Sequence, residues 1–280
     1  MDDIQIIAIF VIIDDLLQHL GHQDHVLAQA SDAEVLTVAV VAAKYLQNHV
    51  VAAKYFQNHQ ARSLSVLQRL GVLSGPLSLA RFNRRLHRLA DWLPSLVDLL
   101  GRLFQQAECL IIDSLPLPVC RRIRAWRCRK VRGAAFCGYC AAKKEKFFGW
   151  RMHLVCTPAG VPVRFAMLPA ALHDLTPLHE LLWELPAGTW VVGDKGYLSA
   201  ADAASLLAAT GVRLVARARD NMTPTSWEER QALEMYRQAI KTMNSQLERM
   251  GFERLYARTN TGFEIKAHAS LLALTRTNIN

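Results

Sequence analysis

Glu108–Asp113 reads ECLIID, three large apolar residues in a row closed by an aspartate. A short continuous apolar run of this kind suits a strand buried on both faces. Toward the C-terminus, Phe148–Thr157 (FGWRMHLVCT) and Val161–Leu168 (VPVRFAML) are two further strand-like runs. Pro158-Ala159-Gly160 between them is turn chemistry, so the pair reads as a hairpin. A helical stretch over His173–Leu185 leads to a fourth strand, Thr189–Gly193, and a helix over Ser199–Thr210 to a fifth, Val212–Ala216. An amphipathic run from Glu228 to Met250 is the last clear helix. Three strands, then helix, strand, helix, strand, helix predict a mixed α/β fold with a five-stranded sheet flanked by helices.

On the N-terminal side of ECLIID the period changes. Residues 1–107 read as an all-helical domain, and residues 108–280 as the α/β domain. Ile6, Ile9, Phe10, Ile13, Leu16, Leu17 and Leu20 recur at helical spacing and stop at Gly21. Val40–His49 (VVAAKYLQNH) is repeated as Val50–His59 (VVAAKYFQNH) with one difference. Two copies are too few for a solenoid. If helical, ten extra residues would add about 15 Å and turn the following face by roughly 80°. A helix–turn–helix follows, with a short helix over Ser63–Leu70, a turn over Gly71–Pro76 and Ser78 capping a second helix. In that helix Leu79, Phe82, Leu86, Leu89 and Leu93 form an apolar stripe, and Arg81, Arg84, Arg85 and Arg88 a basic one. The basic stripe is either a surface for DNA or an ordinary solvated face.

Charge follows the same division. Residues 1–100 carry 8 Lys+Arg against 9 Asp+Glu, whereas residues 101–280 carry 25 against 15. The net charge of +9 thus comes from the C-terminal part, where a polyanion would be held. Apolar residues make up 51%, enough for a real core, which excludes bulk disorder. The longest apolar run near the start, Ile4–Ile13, is about half of the roughly 20 residues of a membrane span. It lies between aspartate pairs, which is wrong for a signal peptide. A cytoplasmic protein without a membrane partner is expected, its six cysteines reduced.

Two aspartates stand at informative places. Asp113 closes Leu110-Ile111-Ile112, and Asp194 closes Val191-Val192-Gly193. A carboxylate ending a buried strand is poorly solvated and needs a partner or a cation. If the two strands are neighbours the acids face one another, and a divalent metal resolves their repulsion. Mg²⁺ suits hard carboxylate oxygens, with Mn²⁺ as a substitute. Two such ions about 4 Å apart activate an attacking water or 3′-hydroxyl and stabilise the leaving oxygen of a phosphodiester. Each aspartate taken alone is equally a turn or cap residue.

Several ordered motifs then agree. Ile112–Cys120 (IDSLPLPVC), Gly138-Tyr139, Ala142-Lys143-Lys144 and Phe148–Val155 (FGWRMHLV) resemble the start of the DDE domain of insertion-sequence transposases. Gly193–Tyr197 (GDKGY) resembles the second-aspartate motif of that family. Arg81–Asp91 and the tail Gly251–Ala273, with Arg258, Gly262-Phe263 and Lys266, also read like family sequence. The resemblance implies an RNase H-like fold, Mg²⁺ dependence, cleavage and strand transfer at double-stranded terminal inverted repeats and target DNA, and a homodimer for paired ends. It also implies a bacterial, nucleoid-associated location. Asp113 and Asp194 match the first and second acids.

The third acid departs from the pattern. Where the family places glutamate on the last helix, Arg237–Thr242 reads RQAIKT, with Lys241 at that position. A lysine cannot ligate Mg²⁺ and repels it. Glu234 and Glu248 lie seven residues to either side, roughly 10 Å along a helix. Glu248 is the candidate third catalytic acid, against the helix geometry. Two readings follow: an active enzyme completed by Glu248, or an inactive remnant that only binds DNA.

Arg121–Arg132 (RRIRAWRCRKVR) brings Arg121, Arg122, Arg124, Arg127, Arg129, Lys130 and Arg132 together around Trp126. Such density beside Asp113 suits phosphate contacts and base stacking, and Lys143, Lys144 and Lys146 extend it. Cys137-x-x-Cys140 hints at zinc, but Cys120 and Cys128 supply no usual second pair. Small apolar cysteines are the better reading. His153 reads as a structural strand residue and Asp174 as a helix cap. No phosphate loop or nucleophile elbow is present, and no organic cofactor is expected.

Overall fold

The computed structural model describes residues 3–46, 59–141, 143–216 and 226–278. The chain forms two compact units, one from residues 1–100 with 246–280, the other from residues 101–245. The first junction lies near the boundary expected at residue 107. Residues 246–280, expected with the α/β part, belong instead to the helical unit.

The helical unit is organised around α2 (Asp32–Val41), buried along its whole length from Ala33 to Val41. A helix apolar on every side needs neighbours all round. α1 (Asp3–His19), α3 (His59–Arg69), α4 (Leu79–Arg88) and α9 (Asn260–Asn278) supply them. Ser31 caps α2 in a reciprocal capping box with Glu34. The expected turn and second helix are present, with Ser78 accepting from the Arg81 N–H. The apolar stripe divides there, because the helix stops at Leu89 and Leu93 belongs to α5 (Trp92–Phe104). A π-helical turn over Ala42–Leu46 lies within the first copy of the duplicated decapeptide, whose residues 47–58 lie outside the described residues.

The second unit carries six strands among the described residues: β1 (Cys109–Arg121), β2 (Cys137–Cys140), β3 (Glu145–Cys156), β4 (Pro162–Pro169), β5 (Trp190–Gly193) and β6 (Arg213–Ala216). Order β3-β1-β5-β6 runs across the sheet, with β4 and β2 both on the outer side of β3. β1 is antiparallel to β3 and parallel to β5, and β5 is parallel to β6. This is the mixed RNase H-like sheet expected, with one strand more. The extra strand, β2 (CGYC), is too short to show any alternation in the sequence. Short helix α6 (Leu178–Leu182) and α7 (Ala200–Thr210) lie between the later strands, and α8 (Trp227–Arg249) follows the sheet.

β1 runs eight residues past the expected end at Asp113. β5 pairs with it only from Cys109 to Ile112. Beyond that point β1 has an open edge, so Pro116 and Pro118, which lack an N–H, are tolerated. At this end β1 and β3 approach closely around Gly149, where a side-chain carbon would stand 2.3 Å from the Leu117 oxygen. The sheet's two faces bury different clusters. Leu110, Ile112, Val155, Val191 and Tyr197 pack on one side, Ile111 and Val192 with Tyr236 and Ala239 of α8 on the other.

Candidate active site

The parallel pairing of β1 and β5 sets the site. Ile112 is opposite Gly193, so Asp113 and Asp194 are the next residues on neighbouring strands. Strand alternation puts Asp113 on the face of Ile111, toward α8. There Asn244 Nδ2 donates a long bond to Asp113 Oδ2, 3.5 Å. Burial, and then the charge of Asp194, push the Asp113 carboxyl up to about 7, with Asp174 adding to the rise. The Ser114 N–H and Asn244 oppose the rise. Asp194 is shifted upward by burial of its carboxyl first and then by Asp174, although the residue as a whole is exposed. Its Oδ1 accepts the Gly196 N–H at 2.8 Å, capping a 3-10 turn over Lys195–Tyr197. The cap role and the role as Asp113's charged neighbour therefore belong to the same side chain.

On the opposite face His153 is fully buried. Its Nδ1 meets the Tyr197 hydroxyl at 3.2 Å, and its Nε2 has no partner among the described residues. Burial lowers its pKa to about 4, so the ring is neutral at physiological pH. Arg151 donates to Ser114 Oγ at 3.2 Å and the Tyr139 carbonyl at 3.1 Å, and lies 3.7 Å from Asp174 Oδ1. Asp174 caps no helix. The residue at the start of α6 is Pro177, without a side-chain cap bond. Asp174 turns toward Gly196, where a side-chain carbon would lie 2.7 Å from Asp174 Oδ2 and 3.0 Å from Asp194 Oδ1. In the sequence this acid reads as a helix cap, because it stands in a loop five residues past the end of β4 and just before a helical stretch.

The third-acid candidates lie elsewhere on α8. Lys241 is exposed, and the α8 side chains beside Asp113 are the neutral Asn244 and Tyr236. Glu248 is exposed one turn beyond Asn244, in the part of α8 that belongs to the helical unit. Glu234 is also exposed.

The basic candidates are largely solvent-facing. Arg121 ends β1, and Arg122, Arg124 and Arg127 sit on an exposed 3-10 turn over Arg122–Arg127. Arg129, Arg132, Lys143 and Lys144 are exposed and Lys130 half-buried. Arg127 stacks on the exposed Trp126 ring, 4.2 Å from its centroid. In the helical unit Arg81, Arg84, Arg85 and Arg88 line a cleft of about 560 Å³. Arg85 is engaged within the fold, bonded to Asp32 and to the Ala30 carbonyl, whereas Arg81, Arg84 and Arg88 are exposed. Cys137 and Cys140, three apart on β2, point to opposite faces and share no ligand position.

The donor set of Asp113 and Asp194 is hard oxygen, and the buried Asn244 Oδ1 beside them has no partner among the described residues. These residues fit a divalent cation held by carboxylates. Among the described residues no helix is long and apolar enough to cross a membrane. Compared with known families, residues 104–254 match the one described as transposase DDE domain, more than half of the chain. No curated protein and no solved structure matches the chain.

Proposed function

The chain belongs to the family of transposase DDE domains, a family that acts on DNA, and from that premise we propose that it cleaves DNA and transfers the strand at the ends of an insertion sequence. The observation that carries this reading is that Asp113 and Asp194 stand side by side, each the next residue after the parallel β1–β5 pairing ends at Ile112 and Gly193. Asp113 and Asp194 would hold Mg²⁺, or Mn²⁺ in its place. The metal, when bound, polarises the phosphodiester and supplies an activated oxygen nucleophile. The chain's own part is positioning. Gly196 fixes the Asp194 carboxylate, Asn244 orients Asp113, and neutral His153 braces Tyr197 beneath them. Arg121, Arg122, Arg124, Arg127, Arg129, Lys130, Arg132, Lys143 and Lys144 grip the backbone near the acids, and Arg81, Arg84 and Arg88 offer a second DNA contact from the helical unit. Such contacts give affinity and salt dependence more than sequence choice. A homodimer would bring two inverted repeats together.

A second reading rests on Lys241 and Asn244. With no carboxylate on α8 beside Asp113, the chain is a DNA-binding remnant that occupies element ends without cutting. Strand cleavage of a duplex carrying the flanking inverted repeat, with Mg²⁺ or Mn²⁺, separates the two. The comparison sets the unmodified chain against Lys241→Glu, with Asp113→Ala as the blank. Cutting by the unmodified chain but not by Asp113→Ala supports the enzyme. Cutting by Lys241→Glu alone supports the remnant. Equal cutting by all three would refute the assignment of Asp113.

A further inference from the structure

Asp174 lies in the loop between β4 and α6, outside the two strand-end aspartate motifs, and its surroundings are unusual for a loop acid. Its Oδ1 is shut off from water and accepts no hydrogen bond among the described residues. The nearest cation, Arg151 Nη1 at 3.7 Å, is beyond bonding distance and is itself committed to Ser114. An ionised oxygen in that state is expensive to bury. Its Oδ2 borders the same backbone position, Gly196, as Asp194 Oδ1. His153, fully buried on the same side of the sheet as Arg151, also carries an unpartnered nitrogen, and Asp174 is its chief stabilising charge. Two polar atoms without a hydrogen-bond partner among the described residues, on Asp174 and His153, and two carboxylates converging on one glycine make a setting that suits a cation.

We propose that Asp174 is a third carboxylate ligand of the divalent metal centre formed by Asp113 and Asp194, supplied from the loop after β4 because α8 presents Asn244 and Tyr236 there instead of an acid. The inference rests on the metal reading of Asp113 and Asp194. The close backbone approach explains why residue 196 is glycine, as a side chain would push both oxygens away from a shared ion. Arg151, anchored on Ser114 and Tyr139, lies alongside the carboxylate as a competing cation and does not bond it.

The test is Mn²⁺ binding to the full chain without DNA, followed by loss of the free-ion paramagnetic resonance signal. The variants are Asp174→Asn, Arg151→Gln and Asp113→Asn, with Asp174→Ser replacing the first should it fail to fold. Asp174→Asn is expected to weaken Mn²⁺ binding about tenfold or more, whereas Arg151→Gln, which removes a nearby cation, leaves it unchanged or tighter. Equal weakening in both would mean that Asp174 serves only to anchor Arg151, and would overturn the inference. Unchanged binding in Asp174→Asn with loss in Asp113→Asn would also overturn it, while leaving the two-aspartate reading standing. If Asp113→Asn binds as the unmodified chain does, or the unmodified chain binds no Mn²⁺, both the reading and the inference fall.

Discussion

Replacing Asp113 by asparagine is expected to make the folded chain more stable at pH 8. In the fold the Asp113 carboxyl is raised to about 7 from the 3.8 of an unperturbed side chain. The folded state therefore holds a proton that the unfolded chain releases between about pH 4 and pH 7. Stability falls with rising pH across that window and levels off above it, the reverse of a salt-bridged aspartate. A shift of some three units corresponds to at most about 4 kcal/mol at roughly 1.4 kcal/mol per unit. Relaxation and water at the half-open strand end reduce that to about 2 kcal/mol. Asparagine keeps the shape and removes the charge, so Asp113→Asn should melt about 4–8 °C higher at pH 8. At pH 4 the two proteins should melt together. Mn²⁺ should raise the melting temperature of the unmodified chain at pH 8 and leave the variant where it is, since the ion relieves the same repulsion. Thermal unfolding followed by circular dichroism at four pH values, with and without Mn²⁺, tests the whole scheme. A variant less stable than the parent at pH 8 without metal would refute the reasoning, because Asp113 would then be a satisfied structural acid.

Other expectations are independent of the metal. Gly149→Ala should cost more than about 2 kcal/mol, because its new carbon would meet the Leu117 oxygen at 2.3 Å and the Val119 nitrogen at 2.6 Å; an unchanged unfolding curve would contradict the β1–β3 approach. The His153 ring, depressed to about 4, should stay neutral down to about pH 5 by NMR, and the stability it contributes should be lost as pH falls from about 6.5 through that value. Titration at an ordinary 6.5 would place it in water instead of the core. Replacing Arg121, Arg122, Arg124 and Arg127 together by glutamine should flatten the plot of log affinity for duplex DNA against log salt by about 3–4, and an unaltered slope would remove this segment from the interface.

The order of the elements was legible in the chain because it rests on local period: apolar runs bounded by turn residues for strands, and i, i+3, i+4 spacing for helices. Asp113 and Asp194 were legible for the same reason, each standing just past such a run, and their register on β1 and β5 follows once those strands are parallel neighbours. β2 left no signal, since four residues cannot display an alternation and its pairing depends on the far end of β3. Arg85 read as a free cation of a basic stripe, and only the return of the segment around the start of α2, with Ala30 and Asp32, commits it to the fold. Asp174 read as a cap because helix caps are local, whereas its actual neighbours, Arg151 and Gly196, are 23 and 22 residues away along the chain. The sequence by itself thus determined the α/β succession, the family and the place of Asp113 and Asp194 just past two apolar runs. Tertiary structure decided which charges are neutralised, which are left facing one another, and that residues 246–280 join the helical unit. Periodicity is written residue by residue, but the dielectric and the partners around a carboxylate exist only after distant segments have packed.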